Sequence, residues 1–127
     1  MKRVALGLGC DRGCGLGAVE QVALAALADA GLTPADVGTI ASIDLKSDES
    51  ALCDLAALWA VKMRFYSAAR LEAETPRLAN PSETVFSLTG CHGVAEAAAL
   101  ASVGEKGRLL VGKIKGEGAT AAVAGWL

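Results

Sequence analysis

A short apolar run that breaks into a glycine-dense loop and resumes as a helix constrains this chain more than any other feature. Val4-Ala5-Leu6-Gly7-Leu8 reads as a buried strand, because its apolar residues run without a polar interruption. It leads into Gly9-Cys10-Asp11-Arg12-Gly13-Cys14-Gly15-Leu16-Gly17. Residues 18–30 then keep a broad apolar face through Val19, Val22, Ala23, Leu24, Ala26 and Leu27, and Gly31 is a natural stop. A strand, glycine loop and helix in succession open an α/β sheet. Glycines let a ligand approach the free amides of the helix start, which suits an anion.

The rest of the chain repeats that alternation. Thr33-Pro34-Ala35-Asp36 carries the signature of one capped helical turn. Residues 39–43 form a second strand, 44–49 a polar break and 50–61 a helix with Leu52, Leu55, Leu58 and Trp59 at helical spacing. A third strand covers 62–66, and Ser67 caps a brief helix through Leu71 and Glu72. Asn80-Pro81-Ser82-Glu83 reads as cap, Pro at the first helical position and acid at the third, which starts a helix over 81–88. Gly90-Cys91-His92-Gly93 breaks it, and an Ala-rich helix spans 94–102. Strands at 108–112 and 119–124 flank a turn at Lys115-Gly116-Glu117-Gly118 and so form an antiparallel hairpin. The expected fold is a single α/β domain over 1–127: three layers, α/β/α, on a mixed, mostly parallel sheet that ends in that hairpin.

Composition narrows the function classes. At 127 residues the chain buries a core without needing a metal or disulfide staple. The apolar fraction is 53% but aromatics are only 4%, so the interior is built from Ala, Leu and Val. With 12 basic against 14 acidic side chains, the net charge of −2 argues against a nucleic-acid partner. No apolar run reaches the length of a spanning helix, which argues against a membrane partner. Met1-Lys2-Arg3 begins like a signal peptide, but the apolar stretch ends at Gly9-Cys10-Asp11-Arg12, too early for one, and a cytoplasmic location is expected. Cys10, Cys14, Cys53 and Cys91 are then expected as thiols.

Several groups are candidates for chemistry. The first loop misses G-x-G-x-x-G, since Gly13 comes one residue late after Gly7 and Gly9. Arg12 supplies a cation with five donors, suited to carboxylate or phosphate. Parallel pairing of the first two strands brings Arg12 and Lys46 to one sheet edge, with Lys113 and Lys115 following the fourth strand. Ser42, Asp44 and Glu49 crowd the end of the second strand. Asp44 or Glu49 is a candidate acid or base there, and Asp44 is equally a helix cap. Cys10, Cys14, Cys91 and His92 would need to converge to hold zinc, and their spacing is not C-x-x-C. No metal and no cofactor is expected. His92, between glycines, is open among capping, solvent and ligand. Glu96 interrupts an apolar stretch, and both the helix dipole and a site role account for it.

Five segments in order resemble one family. Gly7 to Cys14, Ala41 to Glu49, Asn80 to Glu83, Gly93 to Leu100 and Lys113 to Ala124 are similar to CobE and the C-terminal domain of CbiG, from cobalamin biosynthesis. The family's usual arginine after the first cysteine is Asp11 here, and Cys91-His92 stands where small or apolar residues are usual. The resemblance implies a tetrapyrrole ligand, a precorrin or hydrogenobyrinic-acid-type intermediate, and other enzymes of that pathway as partners. The binding residues it implies are Gly9, Cys10, Arg12, Gly13, Ser42, Asp44, Lys46, Glu49, His92, Gly93, Glu96 and Lys113. CbiG-type proteins open the ring lactone of cobalt-precorrin-5A and release acetaldehyde, but they carry additional N-terminal regions. A carrier or accessory role is therefore the first reading. The alternative is lactone hydrolysis with Asp44 or Glu49 activating water and Lys46 polarising the carbonyl.

Overall fold

The structure, a computed structural model, describes residues 4–126. Met1-Lys2-Arg3 and Leu127, which the single-domain reading includes, lie outside the described residues. The strands are β1 (Val4–Cys10), β2 (Val37–Ile43), β3 (Lys62–Tyr66), β4 (Arg108–Lys115) and β5 (Ala119–Gly125). The helices are α1 (Leu16–Asp29), α2 (Ser50–Leu58), α3 (Ala68–Glu72), α4 (Glu83–Thr89) and α5 (Ala95–Val103). Short 3₁₀ turns occupy Pro34–Asp36, Asp44–Lys46 and Thr75–Arg77.

The sheet order is β3-β2-β1-β5-β4. β1 pairs parallel with β2, and β2 with β3; β5 runs antiparallel to both β1 and β4. The sheet is mixed, as expected, and its pairings divide evenly because the returning hairpin strand β5 inserts beside β1. Only β5 runs against the others, so β1, β2, β3 and β4 all deliver their C-terminal ends to one rim. Three strands run at least two residues beyond their apolar runs, and β1 is one, continuing past Leu8 to Cys10. β2 starts at Val37, which is fully buried and pairs with Val4. β4 continues past Gly112 to Lys115, because the ladder with β5 persists to Lys115 and Thr120.

Alternation along β1 sorts the two faces. Val4, Leu6 and Leu8 pack with Val19, Leu27, Ile40, Leu52, Leu55 and Val123 beneath α1 and α2. Each such side chain contributes roughly 1.5–3 kcal/mol by leaving water. Toward the opposite face β1 presents residues with little or no side chain, Ala5, Gly7 and Gly9. Ala5 and Ala124 meet Ala99 and Val103 of α5. A Cβ on Gly7 would lie 1.8 Å from the carbonyl oxygen of Ala95, so α5 rests directly on the backbone of β1. The Ala-rich composition of α5 follows from that contact, and Ala also costs least in a helix. Arg77 ties down the far end of α5 by donating to the carbonyls of Leu100, Gly104 and Gly107, and its guanidinium is itself held by buried Glu74.

Both α1 and α2 end in the same hydrogen-bonded reversal. After α1, Gly31 and Leu32 donate to Ala28 and Leu27, with Gly31 at φ 71°. After α2, Ala60 and Val61 donate to Ala57 and Ala56, with Ala60 at φ 56°. Here an alanine occupies a left-handed position that glycine usually fills. This explains why α2 stops at Leu58, short of the expected Val61. No helix among the described residues is long and apolar enough to cross a membrane.

Candidate functional site

The C-terminal rim of the sheet carries a cavity of about 760 Å³. Its floor is the end of β1 (Gly9, Cys10) and the start of β5 (Ala119, Thr120). One side is formed by Asp11, Arg12, Ile43, Leu45 and Lys46, and β4 contributes Lys113 and Lys115. The other side is α4 with its leading segment (Asn80, Ser82, Thr84, Val85, Leu88) and the approach to α5 (Gly93, Val94, Ala95, Glu96). Cations gather at this cavity. Among the described residues, Lys46, Lys113 and Lys115 form no ion pair. Leu45 and Leu88, 49% and 76% exposed, give its mouth an apolar lip. The lining thus couples a half-apolar hollow to long cationic side chains, which suits an apolar body with carboxylates at its edge.

Of the residues expected to bind ligand, Gly9, Cys10, Arg12, Lys46, Gly93, Glu96 and Lys113 line the cavity. Gly13, Ser42, Asp44, Glu49 and His92 do not, and each has a local reason. Gly13 is the third residue of a turn closed by Cys14 N–H donating to Asp11 (3.1 Å), and its φ of 77° needs glycine. Its own N–H points back to Glu49. Ser42 is fully buried in β2, with a hydroxyl that has no hydrogen-bond partner among the described residues. Asp44 opens an exposed 3₁₀ turn whose other two residues, Leu45 and Lys46, line the cavity while Asp44 itself does not.

Glu49 is 8% exposed and faces the first loop, accepting from Gly13 N–H at 3.1 and 3.3 Å and from Arg12 at 3.3 Å. Arg12 also pairs with Asp48 and donates to the carbonyl of Leu45 at 2.6 Å. Its hydrogen bond holds the Asp48 carboxyl below the usual range. The expected meeting of Arg12 and Lys46 at one rim is present, but Arg12 is already engaged by its own chain. Cys10 and Cys14 lie beside Glu49, their sulfur and carboxylate atoms all within 4.8 Å of one another. Burial, together with the Cys14 hydrogen bond and the Glu49 charge, pushes the Cys10 thiol up to about 12.

Cys91 and His92 do not join those cysteines. Cys91 is buried in a separate cluster with Ile43 and Leu71. His92 lies behind α4, stacked on Phe86 with ring centroids 4.3 Å apart. Its Nδ1 meets Glu72 at 2.9 Å and its Nε2 meets Glu83 at 3.0 Å. Those carboxylates, Glu72 first, raise the pKa of His92.

Glu96 stands in the first turn of α5, where the helix dipole favours an acid, and it lines the cavity as well. It is 2% exposed and accepts from the N–H groups of Ala79, Asn80 and Lys113 and from the Asn80 amide, at 2.7–3.0 Å. Burial alone would raise its pKa; the Asn80 side chain and these amides outweigh that and hold it below the ordinary value of 4.5. Asn80 is therefore not the α4 cap. Ser82 is, accepting from Val85 N–H at 3.2 Å, and α4 begins at Glu83 rather than Pro81. The α4 wall escaped the sequence reading. Its one available signal was an acid in an apolar run, which demands partners somewhere else in the chain.

Comparison with known proteins identifies the family. Residues 4–124 match the family described as cobalamin synthesis G C-terminus. Protein CobE of Sinorhizobium sp is 52% identical over 120 residues, which span 94% of this chain and 78% of that one. Cobalt-precorrin-5A hydrolase of Priestia megaterium is 34% identical over 115 residues, 91% of this chain but 30% of the hydrolase. The crystal structure of a CobE, from the cobalamin (vitamin B12) biosynthetic pathway, superposes with a TM-score of 0.92 at 36% identity, covering 98% of this chain and 91% of that one. Cobalamin biosynthesis protein chiG from Agrobacterium tumefaciens str. C58 gives a TM-score of 0.72 at 30% identity, with 95% and 96% coverage.

Proposed function

Because this chain belongs to the cobalamin synthesis G C-terminus family and is a cobalamin biosynthesis protein, we propose that its rim cavity holds a precorrin or hydrogenobyrinic-acid-type intermediate, as a carrier or accessory factor. The observation that carries this reading is the pairing of an apolar-lipped hollow with Lys46, Lys113 and Lys115 at its walls. Its volume lies in the upper part of the range for small-molecule pockets, about 300–1,000 Å³. Corrin intermediates present a broad ring edged by acetate and propionate groups. Leu45, Leu88, Val85 and Val94 suit the ring, and the lysines suit the carboxylates. A carrier so built would pass its ligand to another enzyme of the pathway.

Hydrolysis is the second reading, favoured by the likeness to cobalt-precorrin-5A hydrolase. The site argues against it. Asp44 and Glu49 stand outside the cavity, and Glu96, which is inside, is saturated with donors. A general base needs a lone pair aimed at the attacking water.

Titrating the protein with hydrogenobyrinic acid tests both readings. Binding is expected to shift the ligand's visible absorption and to make the two co-elute on gel filtration. Lys113→Ala and Lys115→Ala are each expected to weaken binding about tenfold, or roughly 1.4 kcal/mol. An unshifted spectrum with separate elution refutes the carrier. Acetaldehyde released from a lactone-bearing precorrin would favour the hydrolase.

A further inference from the structure

Cys10, Cys14 and Glu49 are brought together from three separate pieces of the chain: the end of β1, the turn after it and the residue that precedes α2. We propose that they form a binding site for a thiophilic divalent cation of the Zn²⁺ class. This goes beyond the tetrapyrrole reading and does not depend on it.

The geometry is close to what such an ion requires. Zn–S and Zn–O bonds of about 2.3 and 2.1 Å place tetrahedral ligand atoms roughly 3.5–3.8 Å apart. Here the two sulfurs and a carboxylate oxygen already lie within 4.8 Å of one another, so small side-chain rotations close the site. The backbone around them is fixed. Cys10 ends a strand paired with Ala119, and Asp11 N–H donates to Gly118. Cys14 is drawn back by the turn hydrogen bond to Asp11, and Gly13 N–H grips the Glu49 carboxylate.

The donor set selects the ion. Two sulfurs with one oxygen favour a borderline-soft cation, whereas Mg²⁺ and Ca²⁺ take oxygen shells of six or more. Arg12 and Gly13 N–H occupy part of the carboxylate's accepting capacity and orient the remainder, as outer-sphere partners do in metal sites. Arg12 also offsets the excess negative charge of two thiolates and a carboxylate around a divalent ion. Three protein ligands leave one position for water, as in exchangeable rather than purely structural sites. Cys10 lines the rim cavity, so the ion would sit in its wall.

The test uses the full chain, stripped with chelator, kept reduced and titrated with Co²⁺ as a spectroscopic stand-in for Zn²⁺. One equivalent is expected to produce a thiolate-to-cobalt charge-transfer band, which one equivalent of Zn²⁺ then abolishes by displacement. Cys14→Ser is expected to lose the band and to bind Zn²⁺ at least a hundredfold more weakly. Glu49→Gln, which keeps an oxygen for Gly13, should weaken Zn²⁺ at least tenfold. Cys53→Ser, on the exposed side of α2, should change neither. Circular dichroism of each variant separates loss of the site from loss of the fold. A wild-type protein without the band, or a correctly folded Cys14→Ser that retains it, overturns the proposal. So does a protein purified as a Cys10–Cys14 disulfide that takes up no metal after reduction.

Discussion

The two sides of the rim cavity hold their charges by opposite means. On the first-loop side, Arg12 and Asp48 pair in the open, their side chains 58% and 74% exposed. On the α4 side, Glu96 is almost wholly enclosed and collects donors from two separate segments, residues 79–80 and β4. The first arrangement is easy to undo, since solvent screens an exposed ion pair and ordering its two long side chains offsets most of the attraction. The second is not, because one buried carboxylate is the shared acceptor of four donors, all of which would lose it together. The contrast assigns the parts different work. The loop side can exchange its own carboxylate partners for those of a ligand. The α4 side keeps the cavity's shape.

Removing the enclosed acid should have the largest effect. Glu96→Ala is expected to cost roughly 3–5 kcal/mol, since it strips the acceptor from the N–H groups of Ala79, Asn80 and Lys113 and from the Asn80 amide. Denaturant unfolding measures this, and a cost below about 1 kcal/mol would erase the difference between the two sides. Acid should produce the next effect. The folded state holds Glu96 and Glu74 below their ordinary 4.5, the Arg70 and Arg77 hydrogen bonds outweighing burial at Glu74. Their contribution is complete above that value and is lost as pH falls through the depressed folded values. Thermal melts at stepped pH should therefore decline below about 4.5, and Glu96→Gln should flatten the decline. A melt that stays level to pH 2 would contradict the assignment of Glu96 as a carboxylate held by amides. Arg12→Ala should have the smallest effect on stability, while weakening hydrogenobyrinic acid binding measurably. A stability loss comparable to that of Glu96→Ala would make the loop side as rigid as the other.

The same contrast explains what could be read from the residues alone. The first-loop side is local: strand, turn and helix follow each other within thirty residues, and apolar runs with glycine stops mark each boundary. Pairing logic therefore puts Arg12 and Lys46 at one rim. It does not reach the partners of Arg12, because Asp48 and Glu49 lie more than thirty residues away, and Glu49, a candidate base by position, is a partner of Gly13 and Arg12. Asn80-Pro81-Ser82-Glu83 contains two residues able to cap α4, and only the packing of α5 shows that Asn80 is taken by Glu96. Cys91 and His92 raised the question of convergence with Cys10 and Cys14, and the answer depends on which face of the sheet each loop covers. Gly7 carried no legible signal, since nothing in sequence announces that a helix eighty-eight residues later will press on it.

The proposed carrier role requires a tetrapyrrole to sit in the rim cavity. Backbone amide spectra of isotopically labelled protein, recorded as hydrogenobyrinic acid is added, test it residue by residue. The expected shifts cluster at Gly9, Leu45, Leu88, Gly93, Lys113 and Lys115, with α1 and the outer turns of α2 unmoved. Saturable shifts confined to α1 and α2, with the rim unchanged, would contradict it.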